Sequence, residues 1–359
     1  MRTKICTLLL LLLCVALPAL SSKCPSRDKL PTSCECEEEF VDEEVDLDLS
    51  CSGSTLDELN DALRLFDTNS KLEVQLDEMN LGTLPSRVFD GWNVVKLDIS
   101  HCELDSLAPQ GQVALAGLED KLEVSFFFKF RFGPIKRSML PIPAKKLKRL
   151  ELDNNALKSV PDDLFLDMPE LKLLSLNYNG IIHLPEKAFR PIWSQLEVFD
   201  AVEERKSTKI DLSHLRRLTA LDLSYNAITE LSDDWFARGP TSLTDLVLSN
   251  NGIEKIGDRA FANLGNLNKL GLDGNRFGPI KRSILPRSAN KLKRLELEAL
   301  QPIWSQLEVF DAVGNPFQCD STMKWLFHVR SKAVIFGTCD GPEDKKFTHL
   351  DEFIANKGE

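Results

Sequence analysis

The sequence predicts an α/β solenoid, a horseshoe of stacked coils that each add one short strand to a parallel concave sheet. Three observations predict it. Leucines recur at fixed offsets, an asparagine follows them at a fixed place, and cysteines gather at both ends of the array.

The spacing is clearest at Leu147, Leu150, Leu152, Asn155 and Leu157. It returns as Leu171, Leu174, Leu176, Asn179, Ile181 and as Leu218, Leu221, Leu223, Asn226, Ile228. Two more copies are Leu243, Leu246, Leu248, Asn251, Ile253 and Leu267, Leu270, Leu272, Asn275, Phe277. With a weaker coil at Leu196 between them, the starts fall 22 to 25 residues apart, the length of one strand and one return segment in a leucine-rich repeat. Further weaker coils begin near Lys71, Val94 and Leu122, and a last one begins at Leu307 with Asn315, about 10 coils in all. The asparagine place is taken by Met79, Cys102, Phe130 and Glu204 in the weaker coils.

Strand geometry explains the residue types. The leucines point into a shared interior while the second, third, fifth, seventh and eighth positions of each coil face outward. One coil cannot enclose its own leucines. Stacking does, at roughly 1.5 to 3 kcal/mol for each large aliphatic side chain. The column Asn155, Asn179, Asn226, Asn251, Asn275 and Asn315 can donate to and accept from backbone groups that turn away from the strand and would otherwise be buried unpaired. In the return segments, Leu84-Pro85 with Phe89, Val160-Pro161 with Phe165 and Leu184-Pro185 with Phe189 place a phenylalanine to pack inward.

Four segments follow. Residues 1–21 have Arg2 and Lys4, an apolar run from Ile5 to Leu13, and small residues near Ala19-Leu20-Ser21, the pattern of a cleaved secretion signal. Residues 22–70 form an acidic, cysteine-containing amino-terminal cap, 71–317 the repeats, and 318–359 the carboxyl-terminal cap. No stretch after the signal approaches the roughly 18 apolar residues of a membrane span, so the mature chain is expected to be secreted, outside the cell and off the membrane.

Of nine cysteines, Cys6 and Cys14 belong to the signal, and Cys24, Cys34, Cys36 and Cys51 precede the first coil in an order that leaves their pairing open. Cys319 and Cys339 follow the last coil; a bridge between them is worth on the order of 3 kcal/mol. Cys102, at an asparagine place, reads as a small buried residue. Nine of the fourteen residues from Glu35 to Asp48 are acidic. They read as a solvated strand edge with Val45 and Leu47 inward, or alternatively as a docking or processing segment whose cleavage removes Cys24, Cys34 and Cys36.

Two segments are duplicated. Residues 132–152 recur almost unchanged at 277–297, and PIWSQLEVFDAV stands at 191–202 and 302–313. Leu292 and Leu307 are then only 15 residues apart, too few for a complete coil, which predicts an irregular, truncated coil near 298–304.

Chemistry is sparse. His101, His183, His214, His328 and His349 fall in different coils or caps without metal-ligand spacing, and no nucleophile elbow, phosphate loop or CxxC pair occurs. Asp162-Asp163 and Asp233-Asp234 stand where carboxylates cap short turns. No catalytic residue, metal or cofactor is assigned. The net charge of −11 opposes nucleic-acid binding.

Recognition is the remaining function, and the outward strand positions are its place. Tyr178 and Tyr225, the only tyrosines, both occupy the eighth position, two coils apart with Glu203 between. The fifth-position column reads Asp98, Phe126, Glu151, Ser175, Asp200, Asp222, Val247, an acidic strip able to steer a basic partner. Phe126 and Phe128 face outward while Phe127 and Phe130 turn in, so two phenylalanines mark a partner contact or an aggregation risk. Phe126, Phe128, Tyr178, Tyr225, Asp200 and Asp222 are the candidate partner-binding residues.

The opening Cys24-Pro25 and Cys34-Glu35-Cys36, the acidic stretch, and the closing Asn315-Pro316-Phe317-Gln318-Cys319-Asp320 with Trp325-Leu326 look like the caps of secreted arthropod leucine-rich proteins. With GPIKRS and PIWSQLEVFDAV, the whole chain resembles the non-catalytic leucine-rich-repeat subunits of decapod-shrimp (Oplophorus) luciferases. That resemblance implies a hetero-oligomer in which a separate small catalytic subunit oxidises coelenterazine, and this chain binds and supports it without chemistry of its own. It supplies no functional residue. Related carboxyl caps often carry Cys-x-Cys where this chain has Cys319-Asp320-Ser321, so no second bridge is expected there. The alternative is an extracellular protein-recognition module of the defence or matrix-adhesion type; the absence of an Asn-x-Ser/Thr sequon leans slightly against a heavily glycosylated matrix protein.

Overall fold

The computed structural model describes residues 23–41, 44–106, 109, 111–113, 115–129, 135–140, 142–181, 185–201, 214–257, 259–276, 307–313, 315, 317–319, 323 and 334–356. The secretion-signal expectation, the expected truncated coil, and the expectations for Phe130, His183, Glu203, Glu204 and Phe277 fall outside these residues.

The leucine-rich-repeat solenoid predicted from the sequence is the fold. A 13-stranded sheet runs the length of the molecule. It opens with an antiparallel pair, Cys34–Val41 and Glu44–Ser52, and every later strand is parallel to its neighbour. Ten strands answer to the ten coil starts: Lys71–Asp77, Asn93–Ser100, Val124–Phe128, Arg149–Glu151, Leu173–Ser175, Val198–Asp200, Ala220–Asp222, Asp245–Val247, Lys269–Gly271 and Val309–Asp311. The thirteenth, Val334–Phe336, comes from the carboxyl cap. Both caps therefore prolong the sheet as well as covering its ends.

Register carries the core. Leu150, Leu174, Phe199, Leu221, Leu246, Leu270 and Phe310 are successive partners, each at most 4% exposed. Behind them the return-segment phenylalanines close the interior. Phe89, Phe165, Phe236 and Phe261 are fully enclosed, Phe165 lies 5.3 Å from Phe189, and Phe236 lies 6.0 Å from Phe261 between ring centroids. One rung departs from the pattern: Ser125 takes the place of a leucine beside the bulky Phe127, and its hydroxyl is buried with no hydrogen-bond partner.

The asparagines bind coil to coil. Asn251 Nδ2 donates to Leu248 O at 2.9 Å in its own coil and to Leu223 O at 3.0 Å in the preceding one, while its Oδ1 accepts from Ile228 N at 3.1 Å. Asn179 and Asn275 repeat all three bonds, and Asn155, Asn226 and Asn315 each reach back to the previous coil's carbonyl. Where the amide is absent the same carbonyl is still used: Cys102 Sγ lies 3.5 Å from Leu76 O. Burial pushes that thiol up to about 11, so it stays protonated as the donor.

Two sequence expectations are refined. Asn315 Nδ2 meets Leu272 O at 2.9 Å, and Lys269–Gly271 pairs directly with Val309–Asp311, so the coils that begin at Leu267 and Leu307 are neighbours in the sheet. At the amino end, Cys24 bridges Cys36 and Cys34 bridges Cys51. The second bridge spans the acidic hairpin and corrects the cleavage expectation: a cut at the hairpin tip leaves Cys24, Cys34 and Cys36 attached through Cys51. At the other end Cys319 is bonded to Cys339.

Asn251→Ala removes one of the two amide donors at Leu223 O and at Leu248 O, which keep Asn226 and Asn275, and leaves the Ile228 amide without its acceptor, so it is expected to destabilise the chain by about 1 to 3 kcal/mol in denaturant unfolding. Ser125→Ala removes an unpaired buried hydroxyl, so the same measurement should show no loss and a gain of up to about 1 kcal/mol.

Candidate functional site

Strand register aligns the outward positions into rows. The third-position row reads Lys96, Val124, Arg149, Leu173, Val198, Ala220, Asp245, Lys269. The fifth-position row reads Asp98, Phe126, Glu151, Ser175, Asp200, Asp222, Val247. The acidic strip read from the sequence is thus one physical row, and beside its centre runs an apolar stretch, Leu173, Val198 and Ala220, half-buried on the outer face. The sequence reading did not single out these three, although apolar residues at an outward position in three successive coils were a visible signal.

Most charges on this face are matched within it. Arg149 is paired with Glu151, Lys96 with Glu73 at 2.5 Å, Lys172 with Glu197 at 3.1 Å and Lys269 with Asp245 at 3.1 Å. Asp153 accepts from Ser175 Oγ at 2.6 Å and from Asn177 N at 2.7 Å. Asp222 accepts from Ser224 N and Oγ through Oδ1. The Asp200 backbone carbonyl accepts from Leu176 N at 2.9 Å, but among the described residues no hydrogen bond or ion pair engages its carboxylate. Burial, reinforced by Asp222, Asp153 and Glu151 and only partly opposed by Arg149, raises its carboxyl to about 6. Burial likewise raises Glu151 and Asp153.

The two tyrosines occupy a conformationally unusual place. In every described coil the residue before the asparagine position has positive φ, as at Glu78, His101, Lys129, Asn154, Tyr178, Tyr225, Asn250 and Gly274. The turn demands it, because that N–H must reach the next coil's carbonyl, as Tyr225 N does to Ser249 O at 2.9 Å. Asn and Gly accept left-handed backbone at low cost, whereas a bulky L-residue is disfavoured by roughly 1 to 2 kcal/mol. Tyr178 at φ 54° and Tyr225 at φ 56° sit there with 47% and 52% of their surface exposed. The strand of Asp200 lies between theirs, so the two tyrosines are roughly 10 Å apart.

Phe126 and Phe128 are half-buried, since the chain itself partly covers them. The Arg149 guanidinium stands 5.1 Å over the Phe126 ring, His101 meets Phe128 edge-on at 5.4 Å, and Lys129 Nζ lies 5.3 Å from the Phe128 centroid. They form a separate cluster two to three strands from Asp200. Among the described residues no group of three His, Cys, Asp or Glu side chains is arranged to hold a metal ion, and no helix is long and apolar enough to cross a membrane.

Comparison with known proteins agrees with this architecture. The family model described as "Leucine rich repeat" matches residues 145–194 and 216–277. Lumican of Mus musculus is 33% identical over 174 residues, 46% of this chain and 47% of lumican. Toll-like receptor 7 of Drosophila melanogaster is 29% identical over 190 residues, 50% of this chain and 11% of the receptor. The chain thus spans about half the length of lumican and a small part of the receptor. Among solved structures, one chain of an octameric complex of Latrophilin 3, Unc5D and FLRT2 superposes with a TM-score of 0.60 at 20% identity, covering 88% of this chain and 95% of that one. The shared property is the leucine-rich-repeat fold.

Because the folded-state value of Asp200 lies above that of an unfolded chain, folding is favoured by its protonated form; that contribution is complete below about pH 4 and is lost as pH rises through about 6. Asp200→Asn should therefore raise the thermal midpoint at pH 7.5 and leave it nearly unchanged at pH 4, as followed by circular dichroism. Tyr225→Asn is expected to stabilise by about 1 kcal/mol through relief of the left-handed backbone, read in the same melts at fixed pH.

Proposed function

We propose that this chain is an extracellular protein-recognition module and that the centre of its concave sheet face is the binding surface. The observation that carries the reading is the row Leu173, Val198 and Ala220 beside Asp200 and Asp222, flanked by two exposed tyrosines. Apolar surface at the middle with tyrosines and charge around it is the usual composition of a protein contact. Three disulfides belong to an oxidising compartment, and lumican, which matches half of the chain, supports a matrix-type protein without chemistry of its own.

A second reading makes the partner the small catalytic subunit of a coelenterazine-oxidising luciferase. It is favoured by the caps together with GPIKRS and PIWSQLEVFDAV, the segments that carry the resemblance to the non-catalytic luciferase subunits. Both readings use the same face and differ in its occupant.

The test is capture from the secretions of the source tissue on immobilised wild-type protein and on Val198→Glu, both shown to be folded by circular dichroism. A partner identified by mass spectrometry should be held by the wild type and lost, by at least tenfold, from the variant. Equal retention by the two would remove this face from the proposal. Coelenterazine added to the captured fraction separates the readings, since light emission selects the luciferase partner and its absence selects the matrix or defence partner.

A further inference from the structure

We infer that Asn179-Gly180 and Asn251-Gly252 are deamidation sites that the folded solenoid holds shut, and that their reaction on opening makes unfolding of this chain a one-way event. This goes beyond the recognition reading and does not depend on which face binds.

An Asn-Gly step lets a backbone nitrogen reach the preceding side-chain amide with least obstruction, since glycine has no Cβ. The chain contains two such steps, and both fall on the asparagine column. In the reaction the glycine nitrogen bonds to the asparagine Cγ, the Cγ–Nδ2 bond breaks, and ammonia leaves carrying the proton of the attacking nitrogen. Water then opens the five-membered imide to aspartate or isoaspartate. No electrons change hands, and water is the co-reactant.

One residue of the preceding coil clamps both reactants. At the first step Leu157 O accepts from Gly180 N at 2.7 Å while Leu157 N donates to Asn179 Oδ1 at 3.1 Å. At the second, Ile228 O accepts from Gly252 N at 2.9 Å while Ile228 N donates to Asn251 Oδ1 at 3.1 Å. The nitrogen and the amide carbon are thus tied to opposite ends of one peptide residue, and attack requires both bonds to break. The leaving nitrogen is held too, by Leu176 O and Leu152 O at Asn179 and by Leu248 O and Leu223 O at Asn251. These are the bonds that stack coil on coil, so protection lasts only as long as the stack.

Unfolding releases every clamp at once, and the products fit the ladder badly. Aspartate sets a carboxylate oxygen where Nδ2 met two carbonyl oxygens, and isoaspartate adds a methylene to the main chain at the bend that fixes register. A chain altered in the unfolded state is then lost to refolding. The other rungs are followed by Ala156, Ala227, Arg276 and Pro316, whose side chains or ring hinder the approach, which confines the weakness to two coils.

The experiment holds the full chain, disulfides intact, at pH 8 in buffer and in guanidinium chloride. Cys102→Ala is the common background, removing the free thiol that would exchange with the disulfides once unfolded. Mass spectrometry of proteolytic peptides follows the two amides, and circular dichroism after dilution gives the fraction able to refold. Both amides are expected to react at least tenfold more slowly in buffer than in denaturant, and the refoldable fraction should fall in step with their loss. Gly180→Ala with Gly252→Ala supplies the causal test. A Cβ at these glycines meets Leu157 O at 3.6 Å, or Ile228 O at 3.6 Å and Thr229 Cγ2 at 3.7 Å, ordinary contact distances that leave the fold intact. The variant should stay refoldable in denaturant at least fivefold longer.

A difference below tenfold between buffer and denaturant would overturn the clamp, a result that needs no variant. Deamidated chain that refolds to the original thermal midpoint, or an alanine variant that loses refoldability as fast as its parent, would overturn the one-way consequence.

Discussion

Each coil turns its backbone away from the sheet inside an apolar stack, and the N–H and C=O groups at that bend have to find partners without water. The asparagine amide meets this constraint by joining two coils at once. Its Nδ2 takes a carbonyl from its own coil and one from the coil before, and its Oδ1 takes an amide from the coil before. Register between neighbouring strands follows from that three-way contact, and the leucine columns and outward rows follow from register. A position one residue earlier is forced into left-handed backbone by the same bend. The outer face and the core are thus set by one recurring contact.

How much of this was legible in the sequence depended on whether a feature repeats. The leucine and asparagine offsets repeat, so ten strands stood where the spacing placed them, including weaker coils in which Met79 or Cys102 fills the amide place. The fifth-position row was legible because alternation in a strand fixes which side chains share a face. The caps were harder. Neither the antiparallel hairpin at Cys34–Val41 nor the strand Val334–Phe336 carries the repeat signature, and cysteine order alone does not decide between pairings. The direct contact of the coil at Leu267 with the coil at Leu307 could not be foreseen either, because the intervening KLKRLEL matches the motif as well as its first copy does at 146–152.

The site was legible in part. Tyr178, Tyr225, Asp200 and Asp222 came from position counting, and the structure groups them on three neighbouring strands and their turns. Phe126 and Phe128 came from the same counting, yet Arg149, His101 and Lys129 cover them from within the chain. Periodicity tells which way a side chain faces but not what lies over it, since cover comes from long side chains one strand away. The apolar row of Leu173, Val198 and Ala220 was overlooked for a related reason: leucine and valine in a leucine-rich chain read as core unless their offset is checked residue by residue.

Two kinds of local cost coincide at the middle of the sheet. Tyrosine holds a left-handed backbone position that asparagine or glycine fills more cheaply in neighbouring coils, at Asn154, Asn250 and Gly274. On the strand between the two tyrosines, Asp200 keeps a half-buried carboxyl among other acids, where serine or asparagine would be more comfortable. The backbone cost recurs at the amino-terminal end, where Glu78, His101 and Lys129 hold the same left-handed position, whereas the carboxyl raised to about 6 belongs to the middle strands. A fold stabilised by so many equivalent leucines can tolerate a few kcal/mol of such penalties. A half-buried acid left without a cation on the central strands is the kind of departure from local comfort that gathers where a surface is shaped for binding.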